Sequence, residues 1–144
     1  MAFDLKSISR NDNTAPPRLM VYGVEGIGKS TFAAGAPDPI FILTEDGLGS
    51  LDVEHFPIAH SLDNVMDAIG ALYAEDHPYK TVVLDSLDWL EAIIHREMEA
   101  KHDAKDLAYG KGAMIAAQQW RDVLDGLNAL RNDKQMTVIL LAHN

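Results

Sequence analysis

Leu19-Met20-Val21-Tyr22-Gly23-Val24-Glu25-Gly26-Ile27-Gly28-Lys29-Ser30-Thr31 decides how the rest of the chain is read. An apolar strand runs into G-x-x-x-x-G-K-S, and a helix begins directly after it. That order is the phosphate-cradling loop of nucleotide-binding folds. Gly23 and Gly28 are expected to take backbone angles closed to a side chain, with Gly26 adding freedom. The amides of residues 25–30 can then point inward at phosphate oxygens. Lys29 would bring a mobile charge to the β- and γ-phosphates, and the Ser30 hydroxyl would ligate Mg²⁺. The expected nucleotide-binding stretch is therefore Gly23, Val24, Glu25, Gly26, Ile27, Gly28, Lys29, Ser30 and Thr31. A glycine-rich turn that matches by chance is the competing reading, and the flanking strand and helix count against it.

At 144 residues the chain is long enough for one domain with a real core. Residues 1–17 read as a flexible polar arm ending in Ala15-Pro16-Pro17, and 18–144 as the folded core. Phe3 and Leu5 in the arm could dock on a neighbouring subunit, although a frayed terminus is the plainer reading. The first 13 residues are polar and mixed in charge, unlike a signal or transit peptide. No apolar run approaches the roughly 20 residues of a membrane span, so no membrane association is expected. There are no cysteines, which excludes disulfides, thiolate metal sites and thiol catalysis. A cytoplasmic location is the default expectation for a protein that uses ATP. The net charge of −10 argues against a broad polyanion-binding surface but leaves room for a local nucleic-acid site. Most of the carboxylates read simply as solvated.

Outward from the loop, apolar and helical periods alternate. Strands are expected at about 18–22, 40–44, near Pro57-Ile58-Ala59, at 81–84 and at 136–141. The helix after the loop must be brief, because Gly35, Pro37 and Pro39 end it. Ser61 or Asp63 can cap a helix carrying Val65, Ile69 and Leu72. Longer helices are expected at about 87–102 and 113–131. The second of these should bury Ala117, Trp120, Leu124, Leu127 and Leu130. Thr81-Val82-Val83-Leu84 is apolar throughout, as a strand covered on both faces should be. The pattern predicts an α/β fold, a three-layer α/β/α sandwich around a largely parallel sheet.

Ligands in such sheets bind beyond the carboxyl ends of the strands, where Gly23, Glu45, Asp85 and His143 all lie. Asp85 follows four strand residues and is the candidate for the metal shell beside Ser30, with Asp88 a nearby competitor. Glu45 could polarise a water for in-line attack on the γ-phosphate, against a solvated turn acid as the plainer reading. His143 could hydrogen-bond the γ-phosphate, or simply end a strand. The expected catalytic group is Lys29, Glu45 and His143, and the expected metal ligands are Ser30 and Asp85. His95, Glu99 and His102 have i, i+4, i+7 spacing, but a solvated helix face explains them better than a metal. Lys101, Lys105, Tyr109 and Lys111 flank a glycine-containing segment that could meet a nucleic-acid backbone and stack one base. An ordinary polar connector explains them equally well.

With these parts in order, the chain resembles a RecA-type ATPase core. It is most similar to small phage-encoded RecA-like proteins of single-strand annealing and recombination. Gly23-Val24-Glu25-Gly26-Ile27-Gly28-Lys29-Ser30 resembles the G-x-E-x-x-G-K-[ST] loop. Phe41-Ile42-Leu43-Thr44-Glu45 resembles the strand that ends in a catalytic glutamate. Val82-Val83-Leu84-Asp85-Ser86-Leu87 resembles the second acidic motif, and Val138-Ile139-Leu140-Leu141-Ala142-His143 the phosphate-sensing strand. Tyr109-Gly110-Lys111-Gly112, leading into the Trp120 helix, resembles the phage subgroup. The resemblance implies ATP and Mg²⁺ as ligands, single-stranded DNA as a partner, a homo-oligomeric filament or ring, and a bacterial host cytoplasm. His143 stands where recombinases usually carry glutamine, and the chain stops where that family continues, so a truncated or minimal core is expected. Two other functions stay open. A small P-loop kinase would need an arginine-rich lid, and Arg10, Arg18, Arg96, Arg121 and Arg131 form no cluster. A nucleotide-binding assembly module with negligible turnover would need no base at Glu45.

Overall fold

Val82, Val83 and Leu84 are almost fully buried, and the sheet is built outward from them. A computed structural model of the chain describes residues 3–12 and 14–144. The strands are β1 (Arg18–Gly23), β2 (Pro39–Leu43), β3 (Glu54–His55), β4 (Thr81–Asp85) and β5 (Thr137–His143). The helices are α1 (Lys29–Ala34), α2 (Leu62–Ala74), α3 (Leu87–Lys101) and α4 (Lys111–Lys134). The strand order is β1-β5-β4-β2-β3, and every pairing is parallel.

Register divides the side chains between two cores. Ile40, Val82 and Val138 lie side by side, as do Ile42, Leu84 and Leu140. These even-numbered positions face α2, α3 and α4, meeting Val65, Ile69, Leu90, Ile94, Val123, Leu127 and Leu130. The odd-numbered Phe41, Leu43, Val83, Ile139 and Leu141 face the other way, onto Ala33 of α1 and the segment carrying Leu48, Val53 and Ile58. Alternation to opposite faces is a property of every strand, so two apolar covers require strands with no polar side. The expected three-layer sandwich is the observed one.

Local signals explain most boundaries. Ser61 caps α2, its hydroxyl accepting from the Asn64 N–H at 3.0 Å. Gly35, Pro37 and Pro39 confine α1 to six residues. Two expectations need correction. The third strand is at Glu54–His55 rather than at 57–59. Pro57 has no N–H to give a ladder, although the Phe56 and Ala59 amides still reach the carbonyls of Phe41 and Leu43. In α4 the buried stripe is Ala116, Val123, Leu127 and Leu130, with Trp120 half-buried beside it. Ala117 is only partly covered, and Leu124 is 39% exposed. A stripe one residue over has the same helical spacing, and contact with α2 and α3 selects between the two.

In the arm, Asp4 caps a short 3-10 turn at Leu5–Ser7, and Phe3 and Leu5 stand exposed. Met1, Ala2 and Asn13 lie outside the described residues. Past the arm, the Pro16 carbonyl accepts from Arg131 Nε of α4, which seats the chain where it enters β1.

Candidate nucleotide site

The sheet delivers the carboxyl ends of β1, β2, β4 and β5 to one rim. Gly23 pairs with His143, and Leu43 with Asp85. Between β1 and α1 the loop turns through Gly26 (φ 83°) and Gly28 (φ 105°), and a Cβ at either position would meet no other atom within 4 Å. These left-handed angles are what turn successive amides toward a common centre. Lys29 is 7% exposed and donates from Nζ to the carbonyls of Gly23 (2.7 Å) and Val24 (2.9 Å). The ammonium is thus folded within the loop's own curve.

Ser30 Oγ donates to Asp85 Oδ2 at 2.7 Å, joining α1 to the tip of β4 across 55 residues. Asp85 is 4% exposed. A hydroxyl and a carboxylate facing each other in this way are hard oxygen donors of the kind Mg²⁺ takes, and they would hold it with few protein ligands. A strand further on, His143 Nε2 stands 3.2 Å from Glu45 Oε1. A cleft of about 360 Å³ is lined by Lys29, Ser30, Glu45, Asp85 and His143 together with Glu25, Gly26, Gly28, Thr31 and residues 47–51. A second cleft, about 640 Å³, continues past Glu45 and His143 to Ile58, His60 and Trp89.

The family model of an AAA domain matches residues 15–144, which take in every strand and helix from β1 to β5. The chain belongs to the AAA domain family. This is a family of nucleotide-binding P-loop ATPases, and the five-stranded parallel sheet with helices on both faces fits it. A search of the curated proteins finds no match. Among the described residues of this AAA domain, no helix is long and apolar enough to cross a membrane.

Most residues singled out in the sequence come together in the AAA domain. Lys29, Ser30, Thr31, Glu25, Gly26, Gly28, Glu45, Asp85 and His143 all line the 360 Å³ cleft. Gly23, Val24 and Ile27 do not. Val24 and Ile27 are 51% and 67% exposed, and Val24 contributes through its carbonyl to Lys29. Gly23 was expected to need an unusual backbone angle, but its φ is not positive. A Cβ there would come within 3.2 Å of Ile27 Cγ2, the side chain of an exposed residue. His95 lies 3.8 Å from Glu91, an exposed i, i+4 pair on α3.

Two residues make contacts at the site that the sequence did not indicate. Thr44 is buried, and its hydroxyl donates to the Ser86 carbonyl (2.8 Å) while accepting from the Ser86 N–H (2.9 Å). That pair of hydrogen bonds ties the end of β2, next to Glu45, to the turn after Asp85. Asp88 appeared in the sequence only as a competitor for metal. Its Oδ2 instead accepts from the His143 backbone N–H at 2.6 Å.

Proposed function

We propose that residues 18–144 are a Mg²⁺-dependent ATPase core of RecA type, acting on single-stranded DNA in phage-type recombination or annealing. The observation that carries this reading is the single cleft shared by Lys29, Ser30, Asp85, Glu45 and His143. Loop amides 25–30 and Lys29 would hold the phosphates, Lys29 exchanging its carbonyl partners for β- and γ-phosphate oxygens. Ser30 and Asp85 would hold Mg²⁺, which supplies charge neutralisation across the β- and γ-phosphates. Glu45 Oε would accept a proton from the attacking water, and His143 Nε2, beside it, would touch the γ-phosphate and register its loss.

Support for the DNA partner comes from the α3–α4 connection. Lys101, Lys105, Tyr109 and Lys111 are all near solvent there, and the Tyr109 side chain is wholly exposed. Such a set offers phosphate contacts and one stacking surface without a large basic patch. A homo-oligomer and work in the cytoplasm of a bacterial host belong to the same reading.

The test is ATP hydrolysis with and without single-stranded DNA, with Lys29→Ala as the blank. Turnover stimulated by DNA and absent from the blank supports the reading. Turnover indifferent to DNA removes the recombination part and leaves an ATPase.

A further inference from the structure

We infer that Asp88 is the positioning residue for His143, a reading that rests on the role proposed above for His143. The reason begins with strand lengths. β4 ends at Asp85, which pairs with Leu141, whereas β5 runs on to His143 against Gly23 of β1. The next amide, Asn144 N–H, points to β1 and donates to the Gly23 carbonyl at 3.0 Å. Because successive amides alternate sides along a strand, His143 N–H points the other way, past the end of β4. It would be left without a ladder partner, and Asp88 Oδ2 supplies one at 2.6 Å.

Asp88 makes this bond from the first turn of α3, where a carboxylate ordinarily serves its own helix. The N-cap residue Ser86 makes no side-chain cap to α3. The carboxylate therefore reaches across to another strand rather than back to its own helix. A hydrogen bond to a charged acceptor is short and directional, so it sets the height and rotation of the last residue of β5. With the backbone held by Asp88, the imidazole is presented to Glu45 at 3.2 Å.

The same turn carries two other links. Asp85 accepts from Ser30, and Ser86 exchanges two hydrogen bonds with Thr44, next to Glu45. Residues 85–88 thus tie together the metal side, the base and the phosphate-contacting residue. Asp88 is the arm of that turn that reaches His143.

Asp88→Ala should lower kcat for ATP by about tenfold to a hundredfold, the scale of a misplaced group, with KM nearly unchanged. Asp88→Asn keeps an acceptor oxygen and should retain most of kcat. In the double variant Asp88→Ala/His143→Ala, the loss should not exceed that of His143→Ala alone. A full kcat in Asp88→Ala, or losses that multiply in the double variant, would overturn the assignment. If His143→Ala itself hydrolyses ATP normally, the proposed role of His143 fails first, a separable result. Should Asp88→Ala fail to fold, the His143 amide proton decides. It should resonate downfield in the parent chain and move upfield in Asp88→Asn, and an unchanged shift overturns the assignment.

Discussion

His143 and Glu45 stand 3.2 Å apart, Nε2 to Oε1, although 98 residues separate them and β4 lies between their strands. The contact is half-buried, with side-chain exposures of 27% and 19%. A candidate base and a candidate phosphate contact therefore share one hydrogen bond at the edge of the nucleotide cleft. No other residue stands between the two groups.

Glu45→Gln should leave nucleotide binding intact and lower ATP turnover by about 10²–10⁴-fold, the usual contribution of a positioned general base. Single-turnover hydrolysis alongside equilibrium nucleotide binding separates the two effects. Unchanged hydrolysis would remove Glu45 from the chemistry and favour an assembly module.

Ser30→Ala and Asp85→Asn should each weaken Mg²⁺ binding, raising the Mg²⁺ concentration for half-maximal turnover by about 10–100-fold. The two losses should not add fully, because the side chains meet at 2.7 Å. A Mg²⁺ titration of both single variants and the double variant checks this.

Two leucines of the expected α4 stripe differ in burial, and so in what they should contribute to stability. Leu127 is 2% exposed, so Leu127→Ala should cost about 2–5 kcal/mol. Leu124 is 39% exposed, so Leu124→Ala should cost about 0.5 kcal/mol or less. Denaturant unfolding of the two variants measures the difference directly.

Two of the four tyrosines should ionise late in an alkaline titration. The Tyr73 phenol donates to Asp133 Oδ2 at 2.8 Å, and that bond, then the carboxylate's charge, holds its pKa above the ordinary value. Tyr79 is raised in the same way, chiefly by its hydrogen bond to Glu54. Because the folded value lies above the unfolded one, near 10, the stabilising contribution is complete below that pH and is lost as pH rises through the folded value. Absorbance at alkaline pH should lose its late component in a Tyr73→Phe/Tyr79→Phe chain.

The fold was legible where burial leaves a one-dimensional trace. Val82-Val83-Leu84 reads as a strand covered on both faces, and Ser61, one of the two caps the sequence offers with Asp63, starts α2. The loop, too, is local, and its glycines and lysine are contiguous in sequence. β3 was misplaced because Glu54 and His55 are exposed and carry no apolar signature. Their strand character comes entirely from pairing with Ile40 and Phe41. In α4 the expected stripe holds at Leu127 and Leu130, but Ala116 and Val123 are buried rather than Ala117 and Leu124, because a 3.6-residue period tolerates a one-residue shift. At the site, Glu45, Asp85 and His143 were each visible as strand ends. Their mutual distances depend on strand order, which no local pattern encodes. Thr44 and Asp88 act through backbone groups, and a backbone N–H has no letter in a sequence.

If this cleft hydrolyses ATP, steady-state phosphate release by the full chain should depend both on Mg²⁺ and on Lys29, which measurement with and without Mg²⁺, beside Lys29→Ala, reads out. Removing the one ammonium folded into the loop should reduce Mg²⁺-dependent turnover by about 10²-fold or more. Equal turnover in the parent chain and Lys29→Ala, or ATP bound in the parent chain with no phosphate released, would contradict ATP hydrolysis in this cleft.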